Sequence, residues 1–234
     1  MFTMNSVREE QTVKTSLLGL GLYDLREAAQ FTRLDQERVR RWFVPPPSEA
    51  KRRPILTPDY PQVQKDTAIS FLDLIEVFVL GNLREHGVPL QTLRKVYSRL
   101  QRDFKQKHPL AHNRLATDGR EVFLRVADDE GKDQLIEVLT RQMVFPEIIA
   151  PFLKQLDYDP NTHLARLWRI ANGVLLNPRI AFGKPIVDGV FVKTEVLAAA
   201  YHANKKDADA VARWYNVSPS DVITAVRFEA DLAA

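Results

Sequence analysis

The sequence predicts a mainly α-helical protein with a small α+β middle region, an N-terminal winged helix-turn-helix and a C-terminal three-helix module of helix-turn-helix type. Three observations support this fold class. Apolar residues recur at three- and four-residue spacing in both halves of the chain. Strand-like runs bounded by turn residues concentrate between about residues 118 and 192. Basic residues cluster in two stretches of the N-terminal half.

The composition is that of a globular protein. The chain has 234 residues, 45% of them hydrophobic and 27% charged, which predicts two or three modules. Cysteine is absent, which excludes disulfides, thiolate metal sites and cysteine nucleophiles. The longest apolar run, residues 71–80, contains Asp73 and Glu76 and therefore indicates a buried helix, not a membrane span. Residues 1–16 lack the apolar stretch of a secretory signal, so we expect a cytoplasmic protein with a flexible arm over residues 1–20.

The distribution of charge indicates where a nucleic acid could bind. Residues 33–53 contain seven basic and three acidic side chains, a net charge of +4, and residues 84–107 have a net charge of +5. The whole chain carries only +3, so the remainder is mildly acidic. Clustered lysine and arginine are what phosphate neutralisation requires, although ordinary solvated helix faces are an alternative explanation.

The first two helices are predicted from their caps. Asp24 and Glu27 have the spacing of a capping box for a short helix that the segment from Phe31 to Leu34 breaks. Asp35 is the predicted N-cap of a second helix reaching Phe43. One side of this second helix is apolar, with Val39, Trp42 and Phe43. Because its other side is rich in arginine, we expect it to enter a major groove of DNA as the recognition helix.

The candidate DNA-binding residues belong to this helix and the loop that follows. Groove and phosphate contacts are assigned to Arg33, Gln36, Arg38, Arg40 and Arg41. Pro45, Pro46 and Pro47 end the helix, and the basic segment up to Leu56 fits a wing hairpin, with a plain basic loop as the alternative. Wing contacts are assigned to Lys51, Arg52 and Arg53. Arginine suits these roles because its guanidinium can span guanine O6 and N7 or grip a phosphate.

The middle of the chain alternates predicted helices and strands. Helices are expected over residues 67–85, 90–105 and 146–156 from their apolar periodicity. Strands are expected over residues 121–126, 134–139, 165–170 and 173–176.

The C-terminal module begins with a strand-turn-strand signal at residues 183–192. Three helices are predicted after it, over residues 194–202, 207–215 and 219–231, with Ser218 capping the last one. That last helix carries Asp221, Glu229 and Asp231 against Arg227. Because its net charge of −2 opposes phosphate binding, we interpret the module as a protein-contact or packing element.

No catalytic constellation is apparent. The glycines form neither a Walker loop nor a dinucleotide loop, and no Gly-x-Ser-x-Gly elbow is present. His108 and His112 have the i, i+4 spacing of a metal pair, but Pro109 lies between them, and turn or surface histidines are the preferred explanation. The sequence therefore predicts a protein that is not an enzyme and has no cofactor and no metal site.

Two known families are similar to parts of the chain. The N-terminal segment resembles the DNA-binding domain of MerR-type regulators through Tyr23, Glu27-Ala28, Thr32, Leu34 and Val39-Arg40-Arg41-Trp42. The run Leu83-Arg84-Glu85-His86-Gly87-Val88-Pro89-Leu90 resembles that family's helix-turn-helix after the wing. The C-terminal segment resembles the domain-of-unknown-function family 433 through Gly183, Pro185, Gly189, Val192, Val196, Val211, Tyr215, Val222 and Ala225. Their combination resembles VapB-type antitoxins, in particular those of mycobacteria.

The resemblance implies a partner and a domain organisation. Such antitoxins neutralise a PIN-domain ribonuclease toxin and often repress their own operon as homodimers on double-stranded DNA. The implied domains are a winged helix over residues 21–110, an α+β linker over 111–181 and the family-433 module over 182–234. The long dimer helix and effector end of MerR-type regulators are missing, which argues against metal or small-molecule sensing by that route.

Three alternatives remain open at this point. The first is a MerR-like transcriptional regulator without a toxin partner. The second is an inhibitor that sequesters a partner protein and has only vestigial DNA binding. The third is an enzyme, which no group of residues in the sequence supports.

Overall fold

A computed structural model describes residues 19–45, 53–61, 67–122, 126 and 144–234. Their secondary structure is mainly helical, with two small sheets. The chain forms two compact units. The N-terminal unit comprises Tyr23–Arg166, and the C-terminal unit comprises Leu167–Ala234 together with residues 19–22. No helix in these ranges is both long and apolar enough to cross a membrane. Most of the predicted arm, residues 1–18, lies outside the described residues.

The N-terminal unit begins with a short strand and a capped helix. Strand β1 (Tyr23–Asp24) pairs antiparallel with β2 (Ala68–Ile69), Tyr23 lying opposite Ile69. Helix α1 (Leu25–Thr32) follows, and the predicted capping box between Asp24 and Glu27 is confirmed. The helix ends where Arg33 adopts a left-handed conformation with φ of 56°.

Helix α2 (Gln36–Phe43) follows after a turn of three residues. The carboxylate of Asp35 accepts a hydrogen bond of 2.9 Å from the backbone N–H of Arg38, which confirms the predicted N-cap. Buried side chains of α1 and α2 pack the two helices against each other.

Two helices of 15 residues each form the centre of this unit, α3 (Phe71–Glu85) and α4 (Leu90–Phe104). The prediction that the first begins at Thr67 was wrong by four residues. Ala68 and Ile69 pair with β1 instead, and Ser70 caps the helix through a capping box with Asp73.

The rest of the unit departs from the predicted strands. Two 3-10 turns, Pro109–Ala111 and Asn113–Leu115, are followed by helical residues at 119–122 and 126. The strand predicted over residues 121–126 is therefore wrong at its described positions. A helical turn has already formed there, because the backbone N–H of Val122 donates to the carbonyl of Asp118 at 3.2 Å. The strand predicted over residues 134–139 lies outside the described residues.

Helix α5 (Val144–Leu153) and strand β3 (Leu156–Tyr158) end the N-terminal unit, close to the start of β4 (Ala165–Ala171). In the C-terminal unit, β4 pairs antiparallel with β5 (Val174–Leu176), and β5 with β6 (Ile186–Val187). The strands predicted at 165–170 and 173–176 are thus confirmed. Of the predicted strand-turn-strand at 183–192, only β6 forms a strand.

Three helices complete the C-terminal unit: α6 (Thr194–Ala203), α7 (Ala208–Tyr215) and α8 (Pro219–Ala233). All three were predicted within two residues of their ends. Ser218 caps α8 through a capping box with Asp221. The helices and β6 enclose a core of Val187, Leu197, Val211, Ala212, Val222 and Ala225.

Candidate nucleic-acid interface

Helix α2 presents its apolar side to the protein. Val39, Trp42 and Phe43 are buried, with 0%, 2% and 4% of their surface exposed. Burying three such side chains stabilises the packing of α2 on the rest of the unit, by about 1.5 to 3 kcal/mol for each side chain. This anchoring fixes which side of α2 faces outward, as the periodicity of the sequence predicted.

One backbone atom of α2 binds two of the described residues that follow this helix. The carbonyl oxygen of Trp42 accepts hydrogen bonds of 3.0 Å from the backbone N–H groups of both Ile55 and Leu56. The described part of the predicted wing, residues 53–56, forms no strand. The hairpin itself would fall mainly on residues 46–52, outside the described residues, and stays a prediction.

The predicted DNA-contact residues are exposed wherever the structure describes them. These are Arg33, Gln36, Arg38, Arg40, Arg41 and Arg53. Lys51 and Arg52 lie outside the described residues. Arg33 precedes α2, and four of the others lie on α2 itself, so one short helix with its entry turn brings five of these side chains together.

The charge of this surface is partly offset by one acidic residue. Glu37 forms ion pairs with Arg40, at 3.6 Å, and with Arg41, at 3.3 Å. All three side chains remain about half exposed or more, so these pairs are weak and can exchange for phosphate contacts. Arg38 makes no ion pair with any residue that the structure describes.

A cleft of about 550 Å³ lies between residues 53–57 and α4. Its lining includes Arg53, Thr57, Gln91, Arg94 and Gln101. The guanidinium of Arg94 donates to the carbonyl of Arg53, which ties the second basic stretch of the sequence to the first. Two arginines, one from residues 53–57 and one from α4, therefore lie side by side at this cleft together with several polar groups.

A buried polar cluster that the sequence analysis missed lies in the same unit, formed by Asp59, Asp73, Glu76 and His108. Glu76 accepts hydrogen bonds from the hydroxyl of Tyr97, at 2.9 Å, and from the backbone N–H of Leu110, at 3.2 Å. The only sign in the sequence was the presence of two carboxylates, Asp73 and Glu76, in an otherwise apolar run, and this pattern indicated a buried helix without indicating a polar cluster.

The pKa values in this cluster shift in opposite directions. Burial raises the pKa of the Asp73 and Glu76 carboxyls. Burial also opposes the charged form of His108, but hydrogen bonds to Asp59 and Glu76 outweigh it and raise the pKa of the imidazole to about 10. For Asp59, burial is outweighed by hydrogen bonds from His108, Lys107 and Ser70, which hold the pKa of its carboxyl well below the usual range.

His108 and His112 do not act as a pair. His112 lies 5.4 Å from the ring of Phe104 and 5.8 Å from that of His163, centroid to centroid, and its Nδ1 accepts from the backbone N–H of Arg114. Burial and the positive fields of His163 and Arg114 lower the pKa of His112. The surface position expected for these histidines is wrong, since each is only 5% exposed. The turn position is confirmed, because the two residues flank the 3-10 turn Pro109–Ala111.

The C-terminal unit offers a different kind of surface. In α8, Glu229 accepts a hydrogen bond from the buried hydroxyl of Thr194 in α6, so this carboxylate takes part in packing. Large apolar side chains are exposed elsewhere in the unit, with Phe182 56%, Phe191 54% and Trp214 67% accessible. Residues 183–234 contain six basic and seven acidic side chains, so the basic charge of this region is offset. Exposed apolar side chains without an excess of basic charge are more typical of protein contacts than of DNA contacts.

Comparisons with known proteins show that this chain is similar to chains from Mycobacterium tuberculosis. No protein-family model matches the chain. A protein of strain H37Rv named "Putative antitoxin VapB45" is 28% identical over 219 residues, which cover 86% of this chain and 90% of the relative. The crystal structure of Rv2018 superposes with a TM-score of 0.72 at 27% identity, covering 89% of this chain and 98% of the other. The similarity thus extends over both units and nearly the full length of each relative.

Proposed function

We propose that this protein is the antitoxin of a bacterial type II toxin–antitoxin pair. The observation that carries the proposal is the similarity to a mycobacterial protein named as an antitoxin, which spans 90% of that protein. Its partner would be a PIN-domain ribonuclease toxin, which the antitoxin neutralises by binding, without catalysis of its own and without a cofactor, in the cytoplasm. The exposed apolar side chains of the C-terminal unit support a protein partner.

Operator binding is the second part of the proposal. A homodimer would place one α2 helix from each subunit in the major groove of operator DNA, with Arg33, Gln36, Arg38, Arg40 and Arg41 contacting bases and phosphates. Wing contacts would come from Lys51, Arg52 and Arg53. The support is that α2 is anchored by buried residues on one side and exposes arginines on the other.

Neutralisation is tested by co-expression with the product of the adjacent gene. We expect the two proteins to co-purify and the antitoxin to suppress ribonuclease activity of the partner in a stoichiometric manner. A partner that never co-purifies, combined with specific operator binding, would favour the alternative of a MerR-like regulator without a toxin.

Operator binding is tested with Arg38→Ala and Arg41→Ala in the full-length chain. Each change should weaken binding to a fragment of the protein's own promoter by roughly 5- to 100-fold, the effect of losing one base or phosphate contact, and should lower the slope of affinity against salt. Arg227→Ala, an exposed arginine of α8, is the matched control. Unchanged affinity and slope in both α2 variants would remove this helix from the interface.

A further inference from the structure

The cluster of Asp59, Asp73, Glu76 and His108 draws on three separate parts of the N-terminal unit. Asp59 lies in the segment after the predicted wing, Asp73 and Glu76 lie on α3, and His108 lies beyond the end of α4. Asp73 and Glu76 are each 1% exposed and His108 is 5% exposed. None of these residues belongs to the proposed DNA-contact surface, so their burial needs its own explanation.

The distances centre on the imidazole. Its Nε2 lies 3.1 Å from Asp59 Oδ1, and its Nδ1 lies 3.2 Å from Glu76 Oε2. Asp73 Oδ1 is 3.7 Å from Nδ1, beyond hydrogen-bond distance. This oxygen is fully buried and has no hydrogen-bond partner among the residues that the structure describes, whereas the second oxygen, Oδ2, accepts from the backbone N–H groups of Asp59 and Ser70. One carboxylate oxygen is thus held in the cluster without a donor.

The described residues of the cluster carry more negative than positive charge when all three carboxyl groups are ionised. Three carboxylates face two possible cations, the imidazolium of His108 and the ammonium of Lys107, which contacts Asp59. Lys107 is half exposed and can turn into solvent. A buried carboxylate oxygen without a hydrogen-bond donor costs free energy of the order of 1–3 kcal/mol. A divalent cation in place of the imidazolium proton would bring the cluster to neutrality with Lys107 still present.

We propose that Asp59, Asp73 and His108 bind one divalent transition-metal ion of the zinc or manganese type. Among the described residues, one ligand atom from each of the three lies within 4.8 Å of the others. A set of one imidazole and two carboxylates suits such ions, whose bonds to nitrogen and oxygen are about 2.0–2.2 Å long. His108 would bind through Nε2, which faces Asp59. Asp73 would contribute its unpartnered Oδ1, which lies 3.7 Å from Nδ1 of the same ring and would have to shift toward Nε2 when the ion binds.

Glu76 then acts as a positioning residue. With Nε2 on the metal, the Nδ1–H of His108 donates to Glu76 Oε2, an arrangement that orients many metal-binding histidines. Tyr97 and Leu110 hold the Glu76 carboxylate in place by donating to it. On binding, His108 releases its proton to solvent, and Lys107 stays beside Asp59, where its positive charge completes the neutrality of the cluster.

A bound ion would cross-link three parts of the N-terminal unit, and we call this cross-link the clamp. The ion would join the segment that follows the predicted wing to α3 and to the chain beyond α4. Since Leu56, three residues before Asp59, donates to the carbonyl of Trp42 in α2, the clamp would also restrain the end of the recognition helix.

The test is metal binding by the purified full-length chain after treatment with a chelator. Dialysis against Zn²⁺ or Mn²⁺ followed by elemental analysis should give one ion per chain, and Co²⁺ should give the d–d absorption of a protein-bound ion. Asp73→Asn keeps an oxygen for the α3 cap, so it should fold and yet bind the metal at least 10-fold more weakly. His108→Gln and Asp59→Asn should do the same.

His112→Asn is the matched control, because His112 is an equally buried histidine of the same unit that is not a proposed ligand. It should bind the metal as the unaltered chain does. Failure of the unaltered chain to bind any of the three ions would overturn the proposal. The proposal would also be wrong if the ligand variants that keep the helical circular dichroism of the parent bound the metal with unaltered affinity. Asp59→Asn changes a partly exposed residue and is therefore the least disruptive of the three variants.

Discussion

Gly81 of α3 and Leu34, the residue before the N-cap of α2, are in direct contact. A methyl group added at Gly81 would lie 2.5 Å from the Cδ1 atom of Leu34 and 3.2 Å from its Cγ. Because Leu34 immediately precedes Asp35, the N-cap of α2, α3 packs closely against the residue that leads into this helix. A glycine in the middle of a helix is explained here by packing, not by backbone conformation.

Gly81→Ala should therefore destabilise the protein. Overpacking costs about 1–3 kcal/mol, and it outweighs the gain of about 1 kcal/mol in helix propensity when the contact cannot relax. Urea denaturation followed by circular dichroism measures the free energy of unfolding. The double variant with Leu34→Ala removes the clash and serves as the control. If the two substitutions proved additive, no contact between Gly81 and Leu34 would limit stability.

The sequence alone predicted the structural features that depend on residues close to one another in the chain. The caps of Asp24, Asp35 and Ser218 join residues three positions apart, so the side-chain pattern alone predicts them. The exposed side of α2 followed from helical periodicity in the same way. The start of α3 was missed because Ala68 and Ile69 pair with a strand more than forty residues earlier, which no local pattern reveals.

The buried cluster could not be predicted for the same reason. Asp59, Asp73 and His108 are separated by 14 and 35 positions and meet only through the packing of α3 against the chain after α4. The sequence offered only the i, i+4 spacing of His108 and His112, which is the spacing of a metal-binding pair on a helix. In the structure Pro109 opens a 3-10 turn between them, and their imidazoles face different neighbours.

Glu37→Gln tests whether the ion pairs of Glu37 weaken DNA binding by the arginines of α2. The change removes one negative charge and frees Arg40 and Arg41 from their ion pairs. Operator affinity should rise by up to about fivefold, since an exposed pair is worth at most about 1 kcal/mol. Fluorescence anisotropy over a salt series measures it. Glu85→Gln, with the same change of net charge at an exposed end of α3, should give a smaller increase; an equal increase would indicate a general charge effect.

Thr194→Val tests the bond between α6 and α8. The hydroxyl of Thr194 is buried and donates to Glu229, so valine keeps the shape but leaves a half-buried carboxylate without its donor. We expect a loss of about 1–3 kcal/mol in the free energy of unfolding. Thr194→Ser keeps the hydroxyl and should lose only the packing of one methyl group, about 1 kcal/mol. The proposed role of the bond is wrong if serine is as damaging as valine.

His112 should make stability depend on pH on the acid side of neutrality. Its pKa is lowered in the folded protein by burial and by the positive charges of His163 and Arg114, relative to an unfolded value of about 6.5. As pH falls through 6.5, the unfolded chain takes up a proton that the folded chain resists. The contribution of His112 is therefore fully present above this pH and is lost as the pH decreases.

His112→Asn removes this titration while keeping an acceptor for the backbone N–H of Arg114, since an asparagine oxygen can accept from the residue two positions on. Free energies of unfolding measured between pH 8 and pH 5 should fall more steeply for the parent than for the variant below pH 6.5. Above about pH 7.5 the two curves should run parallel, separated by the cost of the lost ring contacts with Phe104 and His163. Curves that stay parallel down to pH 5 would mean that His112 accepts its proton equally well in both states.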